Sequence, residues 1–325
     1  MRANLSIFSF RRMQVFLLKI FIFLLLLFAV DQIFGTLLEH LHRRASYNLN
    51  WTKENWLLNE HFDMVIFGSS RALRHYVPTV ISSELGLSVF NAGQNGQYLL
   101  YAYALEQLLL EQYTPKIIIL DILPSYVIKV ENPEEEFERL SSLAPYIDHP
   151  EVRQLLTRGQ CLGQLKYLLK MFRFNSQVLS ILANLREKPS RVDNGYEIIG
   201  KSEFYDRNPF LIDVVQDAEI DSFKLHILKK FITSAQERNI NVAIVFSPVS
   251  EKISRQAQHI LYFYSELFES MHVPFLNFAT EDYADKDLFF DIIHMNGVGA
   301  DLFSRAFARR FSALIQKKTA IVSCR

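Results

Sequence analysis

Residues 64–71 read Met-Val-Ile-Phe-Gly-Ser-Ser-Arg, and this stretch decides the fold. Four apolar residues with no polar alternate describe a strand buried on both faces, the kind found in a parallel sheet covered by helices. Gly68 ends the strand, and Ser69-Ser70 opens a helical stretch that ends near Gly86. Working outward, Ser88–Phe90 is a second strand, and Tyr98–Gln112 is a leucine-rich helix stopped before Pro115. Lys116–Leu120 is a third strand, because Ile117-Ile118-Ile119 is too β-branched for a helix. The rhythm resumes late in the chain. A helix over Ile220–Arg238 leads to a strand over Asn241–Phe246, and a helix over Ile253–Met271 to a strand over Val273–Asn277. A last helix starts at Gly297 and runs to Gln316. The expectation is an α/β fold: a three-layer, five-stranded parallel sheet.

Between Ser125 and Asp217 the alternation stops. Glu134-Glu135-Glu136 reads as a solvated helix end, Leu162–Leu185 as a helix rich in Leu, Phe and Met, and Asn194–Pro209 as a polar loop. Residues 125–217 therefore read as a mainly helical insertion, suited to line a cleft or to rest an apolar face on a membrane or a partner.

The chain has 325 residues, with 35 Lys plus Arg against 35 Asp plus Glu. This balance argues against nucleic-acid binding, which calls for a basic surplus on one face. The two cysteines, Cys161 and Cys324, make neither a disulfide framework nor a zinc site. No phosphate-binding glycine loop and no metal-ligand cluster stands out, so no cofactor is expected.

Arg2, Arg11 and Arg12 precede an apolar run unbroken from Ile20 to Val30, and Met13–Phe34 supplies the length needed to cross a bilayer. The arginines should stay in the cytoplasm and the rest of the chain be exported. A cleaved signal peptide is the rival reading, but Asp31-Gln32-Ile33-Phe34 offers no small-x-small cleavage site. The expected organisation is a cytoplasmic tip and single transmembrane anchor over 1–40, a polar stalk over 41–62, and one large domain over 63–318 outside the cytoplasmic membrane.

In open parallel sheets ligands bind beyond the carboxyl ends of the strands. After the first strand stands Ser70, where a hydroxyl at a helix start can attack a carbonyl while backbone N–H groups receive the developing oxyanion. Ser69 or Ser70 serving only as a helix cap is the alternative. After the second strand comes Asn91-Ala92-Gly93-Gln94-Asn95-Gly96, whose glycines let the backbone turn sharply. Before the last helix, Asp291-Ile292-Ile293-His294 offers a base and, three residues earlier, a carboxylate to orient it. Arg71 and His75 follow the serine on its helix. They could meet an anionic substrate, although surface exposure is the plainer reading. Asp121, ending strand three, could be structural, functional or both.

Together, Gly-Ser-Ser after strand one, Asn-x-Gly-x-x-Gly after strand two and Asp-x-x-His before the last helix resemble the SGNH, or GDSL-like, hydrolase superfamily. The resemblance covers residues 64–120 and 241–316. It implies Ser70 as nucleophile, His294 as base, Asp291 as acid and the Gly96 N–H as an oxyanion donor beside that of Ser70, with Arg71 and Asn91 near the substrate. Two positions depart from the family pattern. Ser69 stands where Asp is usual, as in membrane-anchored relatives that help attach D-alanine to lipoteichoic acid or acetylate exported polysaccharides. Strand three ends Leu120-Asp121-Ile122-Leu123-Pro124, without the usual oxyanion Asn, so the hole would rest on backbone N–H groups or borrow Asn95. The implied activity is an esterase or O-acyltransferase acting on an acylated glycan or acyl donor, beside a polytopic membrane acyltransferase. A non-catalytic assembly or carbohydrate-binding component is the alternative.

Overall fold

The computed structural model describes residues 6–44, 53–130, 132–158, 163–175, 177–184, 193–200, 219–250, 253–279 and 285–323. Arg2, Cys161, Cys324, the middle of the expected stalk and most of the expected loop after Gly200 lie outside them. The helices are, in chain order, α1 (Ser6–Arg44), α2 (Lys53–Asn59), α3 (Ser70–His75), α4 (Pro78–Leu85), α5 (Leu99–Gln112) and α6 (Pro133–Glu138). Then come α7 (Pro150–Leu156), α8 (Gly163–Lys166), α9 (Val178–Asn184), α10 (Ser222–Glu237), α11 (Arg255–Ser270) and α12 (Gly297–Ser323). The chain divides into two compact units, Met1–Ser46 with Ser141–Glu187, and Tyr47–Leu140 with Lys188–Arg325.

The larger unit holds the sheet. Strands β1 (Met64–Phe67), β2 (Val89–Asn91), β3 (Ile117–Asp121), β4 (Asn241–Phe246) and β5 (Phe275–Asn277) are all parallel, in the order β2-β1-β3-β4-β5. Met64 lies opposite Val89 on one side and Ile117 on the other, so β1 is where the winding reverses. Side chains alternate along a strand, and the layers follow. Met64, Ile66, Ile117, Ile119, Ala243 and Val245 pack with Phe303 and Phe307 of α12. Phe67 turns the other way, its ring 5.6 Å from that of Phe231 on α10. The α12 phenylalanines recur at helical spacing, and each one buried contributes about 1.5–3 kcal/mol. Phe303 sits 5.1 Å from both Tyr76 and Phe278, holding the end of α3 against the sheet layer. The expected strands and sheet are present; the 41–62 stretch differs from a stalk. It carries the last turn of α1 and then α2, which buries Lys53, Glu54, Asn55, Trp56 and Leu57.

In the smaller unit α1 runs for 39 residues, and Arg11–Arg44 is long and apolar enough to cross a membrane, by length and composition. The described residues of 162–185, a stretch expected to be helical, do not form one continuous helix. α8 is followed by turns, a 3₁₀ turn over Met171–Phe174, and then α9. The cause is tertiary. Asp31 of α1 accepts from the backbone N–H of Lys170 at 2.7 Å and of Met171 at 3.1 Å, and Gln32 donates to the Leu168 carbonyl at 3.0 Å. These bonds replace the i to i−4 ladder that local pattern alone would favour.

Candidate active site

The turn after β1 divides two serines between two tasks. Gly68 has φ +152, and a Cβ there would lie 2.8 Å from Ala72 Cβ and 3.0 Å from the Asp121 carbonyl, so only glycine lets β1 pass into α3. Ser69 is the N-cap, its hydroxyl accepting from Arg71 N at 3.3 Å. Ser70 is thereby left at the first helical position, half-buried, with a hydroxyl that caps nothing. Its Oγ lies 2.7 Å from His294 Nε2, across 224 residues of sequence. It also stands at the carboxyl end of the strand where the sheet order reverses, the place such sheets use for ligands.

His294 is held in a tight loop closed by the Phe289–Met295 bridge and by Phe290 N donating to the His294 carbonyl at 2.8 Å. Asp291 Oδ2 lies 2.7 Å from His294 Nδ1, while Oδ1 accepts from Ile293 N at 2.9 Å and His294 N at 2.8 Å. Burial alone would push the Asp291 carboxyl up, but the hydrogen bond and charge of His294 and the two backbone donors bring it below the usual carboxylate value. With Asp291 ionised, its Oδ2 accepts from Nδ1 of His294, and Nε2 is the nitrogen that faces the Ser70 hydroxyl. Asn296 starts α12 directly behind, its Oδ1 accepting from Val298 N at 3.0 Å and Gly299 N at 3.1 Å.

Beneath this chain lies a buried network of Arg71, His75, Asp121 and Ser247, and the first two of these were expected at the surface. Arg71 and His75 are both fully buried, so neither meets a substrate. Arg71 Nη2 donates to the Ser247 carbonyl and, at 2.7 Å, to its hydroxyl, and the guanidinium lies over the Phe246 ring at 4.6 Å. Asp121 is buried too; its Oδ1 accepts from Ser247 N at 3.0 Å, and its Oδ2 is 4.0 Å from Arg71 Nε. Burial pushes the Asp121 carboxyl up, against the pull of Arg71 and Ser247. Asp121 is therefore structural. His75 Nδ1 is 2.9 Å from Ser247 Oγ, and Nε2 is 2.8 Å from the Ile293 carbonyl and 3.1 Å from Met295 N. It grips the loop on both sides of His294. Ser247 was missed in the sequence although it directly follows β4, where the carboxyl-edge rule points.

Burial, and after it the charges of Arg71, His294 and Arg74, hold His75 well below its ordinary value, with the Ile293 carbonyl opposing. The fold thus carries a neutral imidazole that the unfolded chain protonates below pH about 6.5. Its contribution is constant above that pH and falls away as the solution is acidified. Urea titrations of detergent-solubilised protein at stepped pH should show stability dropping below about 6.5, with a slope up to about 1.4 kcal/mol per pH unit from this group. His75→Gln should flatten that slope between about pH 6.5 and 5. An unchanged slope would remove His75 as its source.

The turn after β2 is likewise architectural at its start. Asn91 is fully buried, and its Nδ2 donates to the carbonyls of Ala72 at 2.6 Å and Tyr76 at 2.8 Å while Oδ1 accepts from Gly93 N at 2.9 Å. It ties β2 to the end of α3 and is not available to a substrate. Asn91→Ala should cost about 1–3 kcal/mol in urea denaturation, the penalty of orphaned buried groups; a neutral effect would contradict this role. Gly93 packs on α3 so closely that a Cβ would fall 2.4 Å from Leu73 N. Gly96 is exposed with φ +66, and among the described residues neither its N–H nor that of Ser70 has a hydrogen-bond partner. The Asn95 side chain is exposed, its Oδ1 accepting from Arg74 at 3.3 Å and its Nδ2 lying 3.5 Å from Glu197 Oε2. Lys53, which no motif or spacing singles out, is buried and donates to the carbonyls of Gly93 at 2.5 Å and Gly195 at 2.7 Å, clasping this turn.

No protein-family model and no curated protein matches the chain. Among solved structures, one similar chain is described as a lipolytic protein of the G-D-S-L family from Desulfitobacterium hafniense. It is 10% identical with a TM-score of 0.39, and the match covers 76% of this chain and 98% of that one. Another is a gut microbial diltiazem-metabolizing enzyme, 14% identical with a TM-score of 0.23, covering 76% of this chain and 48% of the other. At TM-scores below 0.5 neither likeness adds to the argument, and the functional reading rests on the site itself.

Proposed function

We propose that the protein is a serine esterase or O-acyltransferase in which Ser70, His294 and Asp291 form the catalytic triad. The observation that carries this reading is the unbroken chain from Ser70 Oγ to His294 Nε2 and from His294 Nδ1 to Asp291 Oδ2, each link 2.7 Å. His294 accepts the Ser70 proton as Oγ attacks an ester carbonyl. The tetrahedral oxyanion is received by the backbone N–H groups of Ser70 and Gly96. The same proton then passes from His294 to the departing alkoxide, leaving an acyl-Ser70 ester. Water, or a sugar hydroxyl, gives its proton to His294 and takes the acyl group, and His294 returns that proton to the departing Ser70 Oγ.

With α1 as a transmembrane anchor, the site works outside the cytoplasmic membrane, where acylated glycans of the cell envelope and exported polysaccharides are found. A polytopic acyl donor in the same membrane is the natural partner. One observation supports a second reading, a non-catalytic glycan-binding component. The residue that ends β3 is Asp121, locked into the buried network, so no side-chain oxyanion donor comes from that strand. The deciding test is a fluorophosphonate probe. Ser70 Oγ should displace fluoride from phosphorus, and peptide mass spectrometry should find the adduct on Ser70. Protein that stays unlabelled while folded would favour the binding reading.

A further inference from the structure

We infer that residues 163–175 of the insertion form a second membrane contact, lying in the bilayer interface beside the anchor. The inference rests on α1 being a transmembrane anchor and adds a segment that the apolar span itself does not include.

Three observations in the smaller unit carry it. The first is depth. At 1.5 Å rise per residue, a hydrocarbon core of about 30 Å takes up about 20 residues of helix. Counted from Met13, after Arg11 and Arg12, such a span ends close to Asp31 and Gln32. The segment docks at that level: Asp31 and Gln32 bond to residues 168–171, and Gly35 lets the chain approach so closely that a Cβ would fall 2.2 Å from Lys170 Cβ. The second is the surface presented there. Leu165, Leu168 and Leu169 are 55%, 59% and 44% exposed, and Met171 and Phe172 are 40% and 37%. A cluster of large apolar side chains this exposed marks a docking surface, and α1, to which the segment is bonded, itself exposes apolar side chains from Met13 to Leu37.

The third observation identifies the occupant as lipid. In hydrocarbon, non-helical backbone is tolerated only where its N–H and C=O groups find protein partners. The break between α8 and α9 is such a stretch, and two polar residues that interrupt an apolar run supply the partners. Lys166, Lys170 and Arg173 interleave with the apolar residues, as in segments that lie at headgroup level. Lys170 is 3.9 Å from Glu39 and Arg173 is 2.9 Å from Asp148, so apolar burial rather than net charge is the main attraction.

The test uses the full chain, with Cys161→Ser and Cys324→Ser, reconstituted in phosphatidylcholine vesicles. An environment-sensitive fluorophore is placed on Leu168→Cys, on Phe172→Cys, on Phe23→Cys within the span, and on the exposed Lys229→Cys of α10. The labels at 168 and 172 should be blue-shifted, lose most of their emission to lipids carrying a shallow nitroxide, and resist aqueous iodide. The label at 23 should respond to the deep nitroxide, and that at 229 to iodide. If 23 is quenched by lipid while 168 and 172 are quenched by iodide, the inference is overturned and the anchor stands. Protection of 168 and 172 from both quenchers also overturns it, since a protein would then cover the patch. Loss of lipid quenching at 23 removes the anchor and the inference together.

Discussion

Ser70→Ala should reduce ester turnover by about 10⁴–10⁶-fold and abolish fluorophosphonate labelling, with little change in the urea midpoint. The size follows from the geometry. Ser70 Oγ caps nothing in α3, because Ser69 is the N-cap, so its removal deletes the hydroxyl proposed to attack and almost nothing else. His294→Ala should be nearly as damaging, and the two losses should not add, since Oγ and Nε2 act as one unit. Asp291→Asn should keep the loop, because an amide oxygen can still accept from Ile293 N and His294 N. It should nevertheless lose about 10⁴-fold, since an amide that donates toward Nδ1 leaves the ring in the wrong tautomer. Turnover of acetyl and longer acyl esters of p-nitrophenol, measured beside the probe, gives the readout. Folded Ser70→Ala protein that retains its activity would end the triad assignment.

Arg71→Leu should destabilise the fold by about 3–5 kcal/mol, the largest stability loss expected from any single change near the site. Arg71 and Asp121 are both buried, and the guanidinium is the only cation within ion-pair reach of that carboxylate among the described residues. Without Arg71 the Asp121 charge stays out of water with only Ser247 and a long contact from Tyr76 at 3.4 Å to satisfy it. The Ser247 hydroxyl would also lose its donor, loosening the grip of His75 on the His294 loop. Replacing both charges, Arg71→Met with Asp121→Leu, should recover most of the loss, because the pair itself contributes little net stability once desolvation is counted. Urea denaturation of the single and double variants measures both. A single variant within about 1 kcal/mol of wild type would show that this pair is not the support described.

Local pattern made the sheet legible. Uninterrupted apolar tetrads such as Met64–Phe67 and Ile117–Leu120 have few alternatives to a doubly covered parallel strand, and glycines and prolines between them mark the turns. The same locality shows Ser70, Asp291 and His294, because each follows a strand or precedes a helix in a position the fold brings to one edge. It also shows the apolar length of α1.

What the sequence could not decide are outcomes of contacts between distant segments. Which of Ser69 and Ser70 caps α3 depends on a turn geometry set by Gly68 against the Asp121 carbonyl. Whether Arg71 and Asn91 face solvent depends on Ser247 and on the end of α3, 176 residues from the first and 15 to 19 from the second. The break in the expected 162–185 helix depends on Asp31 and Gln32, some 136 to 140 residues away. Periodicity reports which face of a segment is apolar. It carries no information on which buried polar groups will find partners, and that pairing, worth about 1–3 kcal/mol for each group, is settled only when the chain has folded.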